Sequence, residues 1–187
     1  MNKVLYLLGL FLFLSSCKDD RLPKPKAFLA LNFPAAEYYA FEDGCPFEFE
    51  VNNISIVQSA KGNVPCWYNI HYPLMDATIF LTYQPVRNNI DSLLRDAQRL
   101  PLQHTIKADF IEGDVYSNQF QKVHGMLYEV EGNAASQAQY SITDSVNQFM
   151  TGSIYFNQMP NYDSIKPASA YLKRDMMHLI ETTRWKD

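Results

Sequence analysis

The first seventeen residues constrain this chain most strongly, because they assign it to a cellular compartment. An almost purely apolar run, Val4 to Leu14, follows the positive charge of Lys3 and is broken only by Gly9. Eleven helical residues would span about 16 Å, whereas the hydrocarbon core of a bilayer is about 30 Å thick. The run therefore predicts the core of a signal peptide rather than a transmembrane helix.

The segment Leu14-Ser15-Ser16-Cys17 has the order that a lipoprotein signal peptidase reads. The small serines let the backbone enter the peptidase, and the Cys17 thiol would carry the diacylglycerol. The alternative is an ordinary secreted protein in which Cys17 occurs by chance. We expect a signal peptide at residues 1–16, a lipidated cysteine and tether at residues 17–26, and one globular domain at residues 27–187.

The residues after Cys17 bear on location within the cell envelope. Lys18-Asp19-Asp20 lacks an aspartate directly after the cysteine, the position that commonly signals inner-membrane retention, and resembles an acidic surface-export tag. A solvated tether is an equally good interpretation. Pro23 and Pro25 favour a short stiff spacer. We expect a lipid-anchored protein that faces the periplasm or, as the second choice, the cell surface.

Composition excludes two broad classes. The formal net charge of −4 and the absence of a long basic run argue against a nucleic-acid-binding surface. An apolar fraction of 47% argues against global disorder.

Cys45 and Cys66 remain as an even pair in an oxidising compartment, which favours a disulfide. Such a bond would stabilise the fold by about 3 kcal/mol. Two buried free thiols or a metal site are the alternatives, and a metal site is disfavoured because no histidine pair lies nearby.

Alternating and β-branched patterns predict strands, and apolar stripes at helical spacing predict two helices. The predicted strands are Phe28–Phe33, Phe47–Val51, Ile54–Val57, Cys66–Tyr72, Ala77–Tyr83, Val123–Val130, Ala138–Thr143 and Phe149–Phe156. One helix is predicted from Asn88 or Asn89 to Leu100, and a second from Pro167 to Ile180, after a loop. The pattern predicts an α+β fold, a mostly antiparallel sheet flanked by two main helices, which resembles the Mog1/PsbP-like α-β-α sandwich.

The sequence contains no recognisable catalytic motif. The four histidines have no metal-ligand spacing, and neither a nucleophile elbow nor a phosphate-binding glycine loop is present. We therefore expect no enzyme, no metal and no cofactor. Ser136 is the one serine in a small-residue setting that could expose a nucleophile, but a tight turn in which it bonds the backbone is the preferred interpretation.

Several polar and aromatic residues are candidates for contacting a partner. His104, Lys107 and Asp109 form the densest polar cluster, Asn133 and Ser136 share a turn, and Trp185 would be a contact anchor if exposed. Asp175, His178 and Glu181 are predicted to form the solvated face of the last helix. The many tyrosines and phenylalanines predict a filled core; a ligand pocket lined by Tyr38, Tyr39, Trp67, Tyr68, Tyr72, Tyr83 and Tyr155 is the alternative.

Several segments, taken together and in order, resemble the gliding-motility lipoprotein family GldD of Bacteroidota. They are Lys24–Lys26, Cys45–Phe49, Cys66–Ile70 with Tyr72-Pro73, Ala77–Tyr83, His104–Ala108, Gly132–Ser136, Thr143–Ser145 and Ile180–Trp185. The resemblance implies a role in gliding and in assembly or stability of the type IX secretion machinery, beside a membrane partner called GldE. A periplasmic ligand-binding module is the alternative function.

Overall fold

The computed structural model describes residues 31–62, 64–103, 107–158 and 161–186. The predicted signal peptide, Cys17, the tether and His104 lie outside these residues. Two sheets and two long helices make up the described part of the chain.

The larger sheet has seven antiparallel strands in the order β3-β4-β5-β9-β8-β7-β6. Its strands are β3 (Ile56–Ser59), β4 (Tyr68–Tyr72), β5 (Ala77–Pro85), β6 (Ala108–Asn118), β7 (Val123–Gly132), β8 (Ser136–Thr143) and β9 (Gln148–Phe156). The last four strands follow one another along the chain as a meander, and β5 then pairs with β9.

The smaller sheet has three strands in the order β1-β2-β10, namely β1 (Tyr38–Phe41), β2 (Phe47–Asn52) and β10 (Arg184–Trp185). Helix α1 runs over Ile90–Leu102 and helix α2 over Tyr162–Thr182. A 3-10 turn, Pro73–Met75, joins β4 to β5.

The two helices cover opposite faces of the seven-stranded sheet. Phe149 packs with Leu93 and Ala97 of α1, whereas the next residue, Met150, belongs to the core cluster shared with α2. Neighbouring residues on a strand point to opposite faces, so α1 and α2 lie on either side of β9. The α+β prediction is confirmed, with α-β-α layers.

The main core lies between α2, β2 and the sheet. Leu172, Met176 and Ile180 of α2 are fully buried there, together with Phe47 and Phe49 of β2. Their burial follows the helical stripe and the strand alternation predicted from the sequence.

Several boundaries differ from the sequence prediction. Helix α2 begins at Tyr162, not Pro167, because the Asn133 side chain accepts the Tyr162 backbone N–H from outside the helix (3.0 Å). Strands β1, β6 and β10 were not predicted, and the predicted entry strand is absent over residues 31–33, the described part of it. In the described part of the chain, neither helix combines the length and hydropathy required to cross a bilayer.

Candidate interaction surfaces

Cys45 and Cys66 form the predicted disulfide, with their Cα atoms 5.8 Å apart. The bond joins the segment before β2 to the segment before β4, so it links the smaller sheet to the larger one. Tyr68 packs beside it, and burial together with the nearby Asp43 raises the pKa of Tyr68 to about 12. The disulfide is thus a structural element within the core.

The turn that contains Asn133 and Ser136 is used by the fold. Ser136 is fully buried and its hydroxyl donates to the Ala138 carbonyl oxygen (3.2 Å), which is the backbone-bonding interpretation. A fully buried hydroxyl can neither attack a substrate nor contact a partner. Ser136 is therefore excluded as a residue that contacts a partner. Asn133 is exposed, but its side-chain oxygen is engaged at the start of α2.

Lys107 and Asp109 are exposed and stand where β6 begins. Asp109 lies in a bulge between Ala108 and Phe110, beside Gly132 of the neighbouring strand. These two candidates therefore mark one end of a longer feature, strand β6.

Strand β6 is an edge of the seven-stranded sheet, and no strand among the described residues pairs with its outer side. It is eleven residues long, and nearly all of its positions are exposed or half-buried. An edge of this kind presents unpaired backbone N–H and C=O groups that can pair with another extended chain.

The α1-side face of β6 and β7 adds apolar surface to this edge. Helix α1 contacts β8 and β9, and its end, at Leu102, lies beside Ile111 of β6 and Tyr128 of β7. Val115 is 79% exposed in the middle of β6, and Leu102 is 58% exposed at the end of α1. We define the β6 surface as the outer edge of β6 together with Ile111, Val115, Met126, Tyr128 and Leu102.

A second exposed surface lies at the end of the sheet where β6 turns into β7 and β8 into β9. Phe120 is 98% exposed at the first turn and Val146 is 66% exposed at the second. The Asn118 side-chain oxygen accepts the backbone N–H of Phe120, and one oxygen of Asp144 accepts that of Val146 (3.1 and 2.9 Å). Both turns are therefore held by side-chain hydrogen bonds.

Trp185 lies between these turns, in a groove that Phe120, Val146, Lys122 and Arg184 also line. Its indole N–H donates to the Lys122 carbonyl oxygen (3.0 Å), and its ring packs against the core at the edge of β2. Trp185 is half-buried, so it packs at the sheet edge as expected while leaving part of its ring in the groove. We define the turn-tip surface as Phe120, Val146, Trp185, Lys122 and Arg184.

The prediction for Asp175 is wrong. The sequence placed it on the solvated face of α2, but it is only 4% exposed. One carboxylate oxygen accepts the Tyr38 hydroxyl and the other accepts the Asn52 amide, both at 2.8 Å. The Tyr72 hydroxyl also lies close to the Asp175 carboxylate. The carboxylate therefore joins α2 to β1, β2 and β4.

Donors of the protein itself satisfy the Asp175 carboxylate, and Asp175 also lines a surface groove together with Tyr38 and Tyr171. The Asn52 amide also donates to the Tyr171 hydroxyl (2.8 Å). Burial, and then the Asp175 carboxylate, raise the pKa values of Tyr38 and Tyr72, so both hydroxyls stay protonated as donors. This network is a structural element that sequence analysis missed.

His178 and Glu181 follow Asp175 on the same helix at spacing three. His178 is half-buried; it stacks on the Tyr38 ring and lies 2.8 Å from a Glu50 oxygen. Glu181 is exposed, so only this residue fits the predicted solvated face.

The aromatic residues mostly fill the core, as expected. Tyr68 and Tyr72 are buried, and the Trp67 indole donates to the Tyr83 carbonyl oxygen (2.8 Å). Within the described residues, no group of histidine, cysteine, aspartate or glutamate side chains has the arrangement to hold a metal ion.

Comparison with known proteins identifies a family. The family model described as gliding motility lipoprotein GldD matches residues 18–185, nearly the whole chain and all of the segments that carried the resemblance. A search of curated proteins found no match. The chain belongs to the gliding motility lipoprotein GldD family.

Proposed function

We propose that this protein is a membrane-anchored, non-enzymatic interaction component that supports gliding and the assembly or stability of the type IX secretion machinery. Membership of a gliding motility lipoprotein family indicates association with the cell envelope and involvement in the gliding apparatus. The proposed partner is a membrane protein like GldE, and Cys17 is the proposed site of lipidation.

The β6 surface is the observation that carries this proposal. An exposed apolar side chain in the middle of a long edge strand is unusual in a protein that acts alone, because such strands promote pairing with other chains. Val115 is more exposed than any other apolar residue of the two sheets for which exposure is given. A partner strand paired to β6 would cover Val115 and supply the missing backbone hydrogen bonds.

Charge on β6 makes self-pairing a poor alternative. Asp109, Glu112 and Asp114 are exposed along the strand, which carries no basic residue. Two copies paired through β6 would bring these carboxylates together, and like charges on facing strands are destabilising. The proposed partner strand is therefore a different chain, neutral or basic where it faces the acids.

Lipidation at Cys17 would strengthen a modest interface of this kind. A protein held at the membrane meets other membrane-bound proteins at a high effective concentration, so a single-strand contact suffices. Two or more acyl chains are needed for anchoring that lasts, because one chain binds reversibly.

The test is complementation of a deletion strain of a gliding host with Val115→Asp. We expect this variant to accumulate normally in the envelope but to abolish colony spreading and export of secreted adhesins. Leu74→Asp is the matched control, since Leu74 is 65% exposed in the 3-10 turn and lies outside the β6 surface. Full spreading by Val115→Asp would refute the role assigned to β6.

A further inference from the structure

We propose that the turn-tip surface docks onto an anionic membrane surface. Two apolar side chains project at one end of the sheet, Phe120 almost fully exposed and Val146 about two-thirds exposed. Side chains that project from turn tips can enter the boundary between headgroups and acyl chains without displacing any part of the fold.

The charges around the tips match an anionic surface. Lys122 and Arg184 are exposed, and neither forms an ion pair with another described residue. Lys186, which lines the same groove, is instead paired with Glu42 and Glu48. Asp144 brings the groove an acidic group, and one of its oxygens is engaged by three backbone N–H groups. Two cations that have no ion-pair partner among the described residues thus flank apolar tips on a chain whose formal net charge is −4.

Trp185 completes the combination that is typical of a membrane interface. Tryptophan, lysine and arginine gather at the headgroup level, with apolar side chains below them. The turns hold Phe120 and Val146 in place before docking, so little conformational entropy is lost on insertion. A protein partner would more commonly meet its anchor residue in a pocket, whereas Phe120 projects outward.

The N-terminal segment is long enough to allow this orientation. Residues 31–36 lie beside Pro167, Ala170 and Arg174, toward the start of α2, and the turn-tip surface lies beyond its end. Helix α2 has 21 residues, so it is about 32 Å long. Fourteen Cα–Cα steps separate Cys17 from Leu31, and they can span up to about 50 Å when extended, which exceeds that length.

The experiment uses the acylated full-length protein in vesicles whose acyl chains are brominated, with Trp185 as the reporter in a Trp67→Phe background. The chain has two tryptophans, so the remaining emission comes from Trp185. In vesicles rich in phosphatidylglycerol we expect quenching and a blue shift of emission. In phosphatidylcholine vesicles, or at high salt, we expect both effects to be weak because the cationic attraction is absent or screened.

Phe120→Asp should lower the ratio of docked to undocked protein about tenfold or more, because the insertion of one aromatic side chain is lost. Lys122→Gln with Arg184→Gln should reduce the dependence on anionic lipid. Phe110→Asp is the matched control: Phe110 is a 55% exposed phenylalanine at the far end of β6 and should leave quenching unchanged.

Equal quenching of the parent and Phe120→Asp, or no quenching of the parent, would overturn the proposal. Equal quenching in neutral vesicles would overturn the assignment to anionic lipid. A photo-crosslinker at position 120 that captures an acidic protein rather than lipid in the intact envelope would also overturn it. None of these outcomes bears on β6, whose test depends on Val115.

Discussion

Removal of the Asp175 carboxylate should destabilise the protein far more than removal of other acids on α2. In Asp175→Ala, the Tyr38 hydroxyl and the Asn52 amide lose their acceptor, and the Tyr72 hydroxyl loses the carboxylate beside it. A buried donor left without a partner costs about 1–3 kcal/mol. Tyr72 is only 2% exposed, so water cannot readily replace the carboxylate there, whereas Asn52 keeps its bond to Tyr171.

The lost hydrogen bonds lower the free energy of unfolding, and removal of a buried negative charge offsets part of that loss. The expected net decrease is about 3 kcal/mol. Urea unfolding followed by circular dichroism should show a midpoint about 1.5 M lower at a slope of about 2 kcal/mol per molar. Asp175→Asn keeps one oxygen acceptor and should lose about half as much. Glu181→Ala, at an exposed position of the same helix, should change the free energy by less than about 0.5 kcal/mol.

The stabilising role of Asp175 would be refuted if Asp175→Ala and Glu181→Ala unfolded at the same urea concentration. That result would mean that water, rather than Asp175, satisfies the tyrosine hydroxyls. A change in slope would instead indicate that the variant alters how much surface unfolding exposes.

Three further predictions concern the core. Reduction of the Cys45–Cys66 disulfide, or Cys45→Ser with Cys66→Ser, should lower the free energy of unfolding by about 3 kcal/mol, because the bond closes a loop with a sequence separation of 21. Urea unfolding measures this loss, and an unchanged midpoint would contradict it. Gly152→Ala should cost about 1–3 kcal/mol, since a Cβ there would lie 2.1 Å from the ring of Tyr140; thermal unfolding measures it, and a Tm equal to the parent's would exclude the clash. Burial raises the pKa of Tyr140, so this tyrosine stays protonated in the folded chain while its unfolded form ionises near pH 10. The contribution of Tyr140 to the free energy of unfolding is therefore complete below pH 10 and declines above it by about 1.4 kcal/mol per pH unit. In Tyr140→Phe, the free energy of unfolding should fall less steeply between pH 10 and 11.5, by that amount per pH unit.

The α+β layering could be predicted because the core residues follow simple periods. Phe47, Phe49 and Val51 alternate along β2, and Leu172, Met176 and Leu179 repeat along α2. Strand β6 escaped prediction because its acids and Gly113 weaken the strand pattern, which is common at edges that must not aggregate.

The start of α2 could not be predicted because its N–H acceptor, Asn133, comes from a distant turn. Asp175 had a signal that was overlooked, since it lies three residues after Leu172 and four before Leu179. An acid within an apolar helical stripe indicates a buried partner. That partner, Tyr38, lies on a strand that the sequence did not reveal.

The most direct test of the account is photo-crosslinking from position 115 in living, gliding cells that carry the full acylated chain. A photoreactive residue at Val115 should capture one envelope protein, and the same residue at Leu74 should not. The account would be contradicted if position 115 captured nothing in cells that glide normally, or if both positions gave the same products.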